Sequence, residues 1–258
     1  MYQDKVSSII QILEQAASII KTSTCSPLEV ENKEDGSPVT NIDKKLDQFL
    51  RGELTKLFPN HAFLTEESAD DLSRLDNDYV WIIDPIDGTE DFVKGQFEYT
   101  INVALAYKHE IVMGFIMVPS KEELYYAVKG KGSYFIFNGN IERIHVSNKI
   151  DNLIVLSSPF HESELEKEYF KRHQDKIKEI IKCGAAYKAC LIARGHGDCT
   201  YRFSCHNKEW DTAAPDIIVS EAGGYLLNGD GTKMIYNRKD VVNHNGYLIL
   251  NNLNNLFK

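Results

Sequence analysis

The sequence predicts an α/β protein in two lobes, an α+β lobe over residues 1–147 and an α/β lobe over residues 148–258. Three observations predict it. Apolar residues at helical spacing open the chain, a series of apolar strands separated by turn residues fills its middle, and past about residue 147 strands and helices alternate.

In chain order, Val6, Ile9, Ile10, Leu13, Ala16, Ala17 and Ile20 recur every three or four residues and define an amphipathic helix. Residues 22–38 are polar, contain Pro27, Gly36 and Pro38, and read as a mobile loop carrying Glu31, Lys33, Glu34 and Asp35. A second helix over 43–58 turns Leu46, Phe49, Leu50, Leu54 and Leu57 inward, and a short strand over 61–65 ends at Glu66-Glu67. After a strand built on Trp81-Ile82-Ile83 come antiparallel strands over 99–107, 111–118, 123–128 and 133–137, with Gly130 and Gly132 supplying a hairpin turn. The later half reads as strand 153–157, helix 163–172, strand 177–182, helix 187–194, strand 199–203, helix 212–222 and strands 225–227 and 247–250.

With 258 residues and a hydrophobic fraction of 43%, the chain can bury a sizeable core. A net charge of -9 argues against a nucleic-acid polymer as partner, which needs a basic face. It leaves small phosphorylated substrates open, because bound cations reverse the local field. The N-terminus lacks the basic and apolar regions of a signal peptide, and the longest apolar run, 111–118, is interrupted by Gly114 and too short to span a bilayer. Cys25, Cys183, Cys190, Cys199 and Cys205 form no CxxC pair, so reduced thiols in a cytoplasmic protein are expected. His145, His161, His173, His196 and His206 lack metal-binding spacing and read as surface residues.

The segment Asp84-Pro85-Ile86-Asp87-Gly88-Thr89 carries the chemistry. Asp84 emerges from an apolar strand, Pro85 has no N–H and should stop the ladder, and Asp87 follows on the turn, so two carboxylates converge. Gly88 permits close approach of a ligand, and Thr89 adds a hydroxyl and an N–H. Clustered hard oxygens suit Mg²⁺. Three more acidic positions lie at element ends: Glu66 after a strand, Asp43 near a helix start, and Asp211 at the start of another helix. Each has a plain alternative. Asp-Pro and Asp-Gly are ordinary turn pairs, Glu66-Glu67 can be a solvated pair, Asp43 with Thr40 can be a cap, and Asp211 can be an N-cap worth about 1 kcal/mol.

Taken together, the set resembles the lithium-sensitive, Mg²⁺-dependent phosphatases of the inositol monophosphatase superfamily, along essentially the whole chain. The signature segments stand here as Asp84-Pro85-Ile86-Asp87-Gly88-Thr89 and Trp210-Asp211-Thr212-Ala213-Ala214, supported by the Glu66-Glu67 pair, by Ser37-Pro38-Val39-Thr40 followed by Asp43, and by Glu221-Ala222-Gly223-Gly224. The resemblance implies a layered αβαβα sandwich of the sugar-phosphatase type. It implies Mg²⁺, two or three ions, on Glu66, Asp84, the Ile86 carbonyl, Asp87 and Asp211, with Asp211 also touching substrate. The Gly88 and Thr89 amides would hold phosphate, Thr89 would orient the attacking water, and Asp43 would accept a hydrogen bond from Thr89. Inhibition by Li⁺ and closure of the 22–38 loop over the metals follow from the same resemblance. Its members are often homodimers, which leaves a homodimer open here.

Within the superfamily, the chain is more similar to the 3'(2'),5'-bisphosphate nucleotidases, which implies hydrolysis of 3'-phosphoadenosine 5'-phosphate to AMP and phosphate. Lys188, two residues before Cys190, and Arg202, before the Trp-Asp motif, match cationic positions of that branch and would serve the second phosphate or the base. Alternatives stay open: Lys188 as a snorkelling surface lysine, and Arg202 as an exposed strand residue or an ion pair. Thr65 leans toward the nucleotidases. Glu90 stands where they carry lysine, Ala185 and Ala186 where they often carry serine, and the stretch between Arg202 and Trp210 holds an extra residue. The alternative functions are an inositol monophosphatase or related sugar-phosphate phosphatase, and a non-catalytic relative that binds a nucleotide or metal.

Overall fold

A computed structural model describes residues 3–23, 29–32, 38–96 and 98–257. The chain begins with helix α1 (Val6–Ser23), the hairpin strands β1 (Val30–Asn32) and β2 (Pro38–Thr40), helix α2 (Asn41–Leu57) and strands β3 (Ala62–Thr65) and β4 (Tyr79–Asp87). A short helix, α3 (Thr89–Val93), precedes five strands: β5 (Thr100–Tyr107), β6 (Glu110–Val118), β7 (Glu123–Val128), β8 (Gly132–Phe137) and β9 (Asn140–Ile144). The remainder is β10 (Leu153–Ser157), α4 (Glu164–Arg172), β11 (Ile177–Lys182), α5 (Tyr187–Ala193), β12 (Cys199–Arg202), α6 (Glu209–Glu221), β13 (Tyr225–Asn228) and β14 (Tyr247–Leu250).

These elements stack as five layers, the αβαβα order that the resemblance implies. A seven-stranded sheet runs β3-β4-β5-β6-β7-β8-β9, and a five-stranded sheet runs β11-β10-β12-β14-β13. The first sheet is antiparallel except for the parallel pair β3/β4. In the second, β10 lies parallel to β11 and β12. Alternation along each strand sorts its side chains between faces. Trp81, Ile83, Ile101, Val103, Leu105 and Phe115 meet α1 and α2 through Ile9, Leu13, Leu46 and Leu50. On the opposite face, Val80, Ile82, Ala104 and Ala106 meet α5 and α6, whose far sides cover Leu226 and Ile249 of the second sheet. Outside that sheet, Phe170 of α4 packs on Leu153, Val155, Tyr201 and Leu250.

Small residues let α6 lie close to the first sheet. A Cβ on Gly114 of β6 would fall 2.4 Å from Ile217 Cγ2 and 3.2 Å from Ala214 Cα, both on α6. The hairpin β7–β8 uses the expected glycines: Gly130 and Gly132 have φ of 73° and 90°, and both donate their N–H to the Glu221 carboxylate at 2.7 Å.

Several expectations need correction. The polar stretch 22–38 is not one loop where it is described: Thr22 and Ser23 finish α1, and Val30–Asn32 pairs antiparallel with Pro38–Thr40. Lys33, Glu34, Asp35 and Cys25 lie outside the described residues. Strand β9 and helix α3 were not expected, and α6 starts at Glu209, three residues before 212. The other cysteines, Cys183, Cys190, Cys199 and Cys205, are free thiols. Among the described residues, no helix is long and apolar enough to cross a membrane.

Candidate active site

Pro85 does not stop β4, contrary to its expected role. The strand continues to Asp87 through a bulge: Asp84 pairs with Asn102 and Asp87 with Thr100, so the step from 84 to 87 on β4 matches a step of only two on β5. A bulge is where a strand tolerates a missing N–H, and it re-aims side chains. Both Asp84 and Asp87 consequently face the N-terminal end of α6. Their carboxylate oxygens and those of Asp211 lie within 4.8 Å of one another.

Asp211 sits one turn further into α6 than an N-cap. Lys208 is the capping residue, and its N–H donates to Asp211 Oδ2 at 2.6 Å. The helix start therefore fixes the rotamer of Asp211 while leaving its other oxygen for the cluster.

The charges in this group oppose one another. Burial, then the charges of Glu66, Asp87 and Asp211, hold the Asp84 carboxyl well above the usual carboxylate range. Burial raises Asp87 too, against the lowering pull of the Lys188 ammonium. Asp211 is pushed up to about 8, first by burial and then by Asp87 and Glu66. Glu66 is thus electrically part of the cluster, although it lies outside the tight group of three. Asp84 Oδ1 is buried and has no hydrogen-bond partner. Like charges held this close, with a polar atom left unsatisfied, cost free energy unless a cation or protons neutralise them.

Beside the carboxylates, Gly88 adopts the left-handed conformation (φ 87°) and opens α3 at Thr89. The amides at such a helix start have no intrahelical acceptor. The Thr89 hydroxyl lies 3.1 Å from Asp43 Oδ1 and 2.9 Å from the Ile86 carbonyl oxygen. Asp43 is the third residue of α2 and is buried. Thr40 caps that helix, and its N–H and hydroxyl reach Asp43 Oδ2 at 2.9 and 2.5 Å. So Asp43 completes the capping box that Thr40 opens and is also a hydrogen-bond partner of Thr89. Burial raises its carboxyl despite the hydrogen bonds from Thr40 and Thr89.

The two cations behave differently from a surface pair. Lys188 is only 5% exposed, which excludes the snorkelling alternative. Its Nζ donates to the carbonyls of Ala185 (2.8 Å) and Cys183 (3.2 Å). Arg202 is also buried and not an exposed strand residue. It forms an ion pair with Glu166 at 2.9 Å, donates to the His161 carbonyl at 2.7 Å, and reaches Ser204 Oγ at 3.3 Å. Sequence reasoning missed the groups that hold Asp87: the Asn102 side chain at 3.2 Å and the Ala186 N–H at 2.6 Å. It also missed Glu98, whose carboxylate accepts the Gly184 N–H at 2.8 Å. None of these carries a local signal, because each partner is more than a dozen residues distant.

Comparison with known proteins gives consistent matches. The model of the inositol monophosphatase family matches residues 3–257. The chain is 31% identical over 239 residues to the 3'(2'),5'-bisphosphate nucleotidase CysQ of Aggregatibacter actinomycetemcomitans, covering 91% of this chain and 88% of that protein. It is 33% identical over 211 residues to the Nus factor SuhB of Pasteurella multocida, covering 79% and 76% respectively. Among solved structures, CysQ from Bacteroides thetaiotaomicron superposes with a TM-score of 0.83 at 28% identity, covering 97% of this chain and 98% of that one. An IMPase of Thermotoga maritima gives 0.80 at 28% identity, covering 96% and 92%.

Proposed function

The chain belongs to the inositol monophosphatase family, and from that premise we propose that it is a Mg²⁺-dependent phosphomonoesterase that hydrolyses 3'-phosphoadenosine 5'-phosphate to AMP and phosphate. The observation that carries the phosphatase chemistry is the buried, unpartnered Asp84 Oδ1 facing Asp87 and Asp211. This donor set is all oxygen and carries excess negative charge, so it fits a hard divalent cation. Glu66, Asp84, the Ile86 carbonyl, Asp87 and Asp211 would hold it. Mg²⁺, when bound, supplies an acidified water and a counter-charge for the phosphate.

The chain's own residues do the remainder. The amides of Gly88 and Thr89 bind phosphate oxygens at the helix start. The Thr89 hydroxyl orients the attacking water. Asp43 Oδ1 fixes that hydroxyl and accepts its proton as the hydroxyl takes one from the water, so Thr89 stays neutral and the proton rests on a carboxyl whose proton affinity burial has raised.

The nucleotide is favoured by similarity to CysQ along most of the chain. Glu90, where nucleotidases carry lysine, and the equally near SuhB relative favour an inositol or sugar monophosphate instead. Phosphate release with Mg²⁺ from 3'-phosphoadenosine 5'-phosphate, inositol 1-phosphate and fructose 1,6-bisphosphate, assayed in parallel, separates the readings. Preference for the nucleotide is the expected outcome. Preference for inositol 1-phosphate moves the substrate and keeps the metal chemistry. Release from none of them, or release indifferent to Mg²⁺, rejects the site.

A further inference from the structure

From the turn that precedes α5, we infer that Lys188 is a positioning residue for Asp87, acting through the backbone of residues 183–186, and does not touch the second phosphate of the substrate. The inference rests on the proposed metal role of Asp87. This turn is irregular. Ala185 has a φ of 49°, a conformation that residues with a Cβ rarely adopt. Such a backbone persists only when its surroundings over-determine it, and here three contacts do so. The Lys188 ammonium donates to the carbonyls on either side of Gly184, those of Cys183 and Ala185. Glu98, from the segment between α3 and β5, accepts the Gly184 N–H. Gly184 itself is packed so tightly that a Cβ would fall 2.8 Å from the Glu98 carbonyl oxygen and 2.9 Å from Asp91 Oδ2.

The product of this arrangement is one hydrogen bond. The Ala186 N–H, next along the turn, donates to Asp87 Oδ2 at 2.6 Å. Lys188 is buried, and two of its three N–H donors serve the turn. Removing the ammonium leaves two carbonyls unsatisfied beside a strained residue, so the turn relaxes and Asp87 loses its orienting amide. Groups that orient metal ligands in this way typically contribute roughly 10–100-fold to metal affinity or activity.

The test compares wild type with Lys188→Met, which keeps length and loses all donors, and Lys188→Gln, which keeps neutral donors. One readout is the rise in melting temperature on adding Mg²⁺, which needs no turnover. The other is kcat and KM on 3'-phosphoadenosine 5'-phosphate and on adenosine 3'-monophosphate, which lacks the second phosphate. Lys188→Met should shrink the Mg²⁺-induced rise and lower kcat/KM by about tenfold or more on both nucleotides alike. Lys188→Gln should recover part of each. An undiminished Mg²⁺ response with a KM increase confined to the bisphosphate overturns the inference. If Lys188→Met does not fold, Glu98→Ala loosens the same turn from its other side and should weaken the Mg²⁺ response; an unchanged response there also overturns it. Should wild type hydrolyse neither nucleotide, the substrate reading fails while the melting comparison still decides the role of Lys188.

Discussion

The two faces of the seven-stranded sheet are built to different specifications. Toward α1 and α2, β4 and β5 present Trp81, Ile83, Ile101, Val103 and Leu105, large and apolar from end to end. Toward α6, the same strands present Val80 and Ile82 and then Asp84, Ala106 and Ala104 and then Asn102. This second face grades from small apolar residues into polar ones within a few positions. Bulk on the first face supplies burial. Smallness on the second brings α6 near enough for Asp211 to reach Asp84 and Asp87. Burial here serves stability on one side and placement on the other.

That contrast can be broken at its polar end first. Asp84→Asn should abolish phosphate release while leaving the metal-free protein at least as stable as wild type, because it removes a buried charge from a repulsive cluster. A phosphate-release assay and a thermal melt check both halves. Residual turnover near the wild-type rate would refute the site. Li⁺, titrated at saturating Mg²⁺, should next suppress turnover at millimolar-scale concentrations, as in the family; an unaffected rate speaks against a family-type site.

Paired substitutions on the two faces sharpen the comparison further. Leu105→Ala opens a cavity against the helical pair and should cost about 2–5 kcal/mol in denaturant melts, with kcat little changed in the folded protein. Gly114→Ala on the other face pushes on Ile217 and should cost about 1–3 kcal/mol, yet lower kcat as well, because α6 carries Asp211. Equal effects on kcat would remove the distinction between faces.

The polar face should also set the pH dependence of the metal-free protein. The folded Asp211 carboxyl is raised from 3.8 to about 8. A raised acid contributes stability below its unfolded value that is lost as pH climbs through the folded one. The melting temperature without metal should therefore decline between about pH 4 and pH 8. Mg²⁺ should restore it, more at the alkaline end than at the acid end. A flat profile without metal contradicts the electrostatics described for the cluster.

The end of β4 is legible in the sequence because all its parts are contiguous: an apolar run, two aspartates, a glycine and a threonine. The helical faces of α1 and α2 are legible because their apolar spacing is regular. What escapes is decided at long range or by geometry finer than composition. Pro85 reads as a terminator, yet the ladder absorbs it in a bulge. The N-cap alternative for Asp211 fails because the cap is Lys208, three residues earlier, and no capping side chain marks it. Strands β1 and β9 are short and mostly exposed, so they carry no alternation to detect. For Arg202 an ion pair is among the sequence readings, but its partner Glu166, 36 positions away, is visible only in the fold.

The bulge between Asp84 and Asp87 has one more consequence, for the arithmetic of the chain. Because β4 spends one more residue than β5 across that interval, the active-site segment is measured in residue number as well as residue kind. If β4 kept all its residues from 84 to 87 and paired with β5 one for one, the sheet would be more regular. Such pairing would also send one aspartate to the opposite face, among Trp81 and Ile83, because positions three apart on an evenly alternating strand point to opposite sides. The irregularity is thus the device that lets a strand, which alternates by nature, show two acids to the same side.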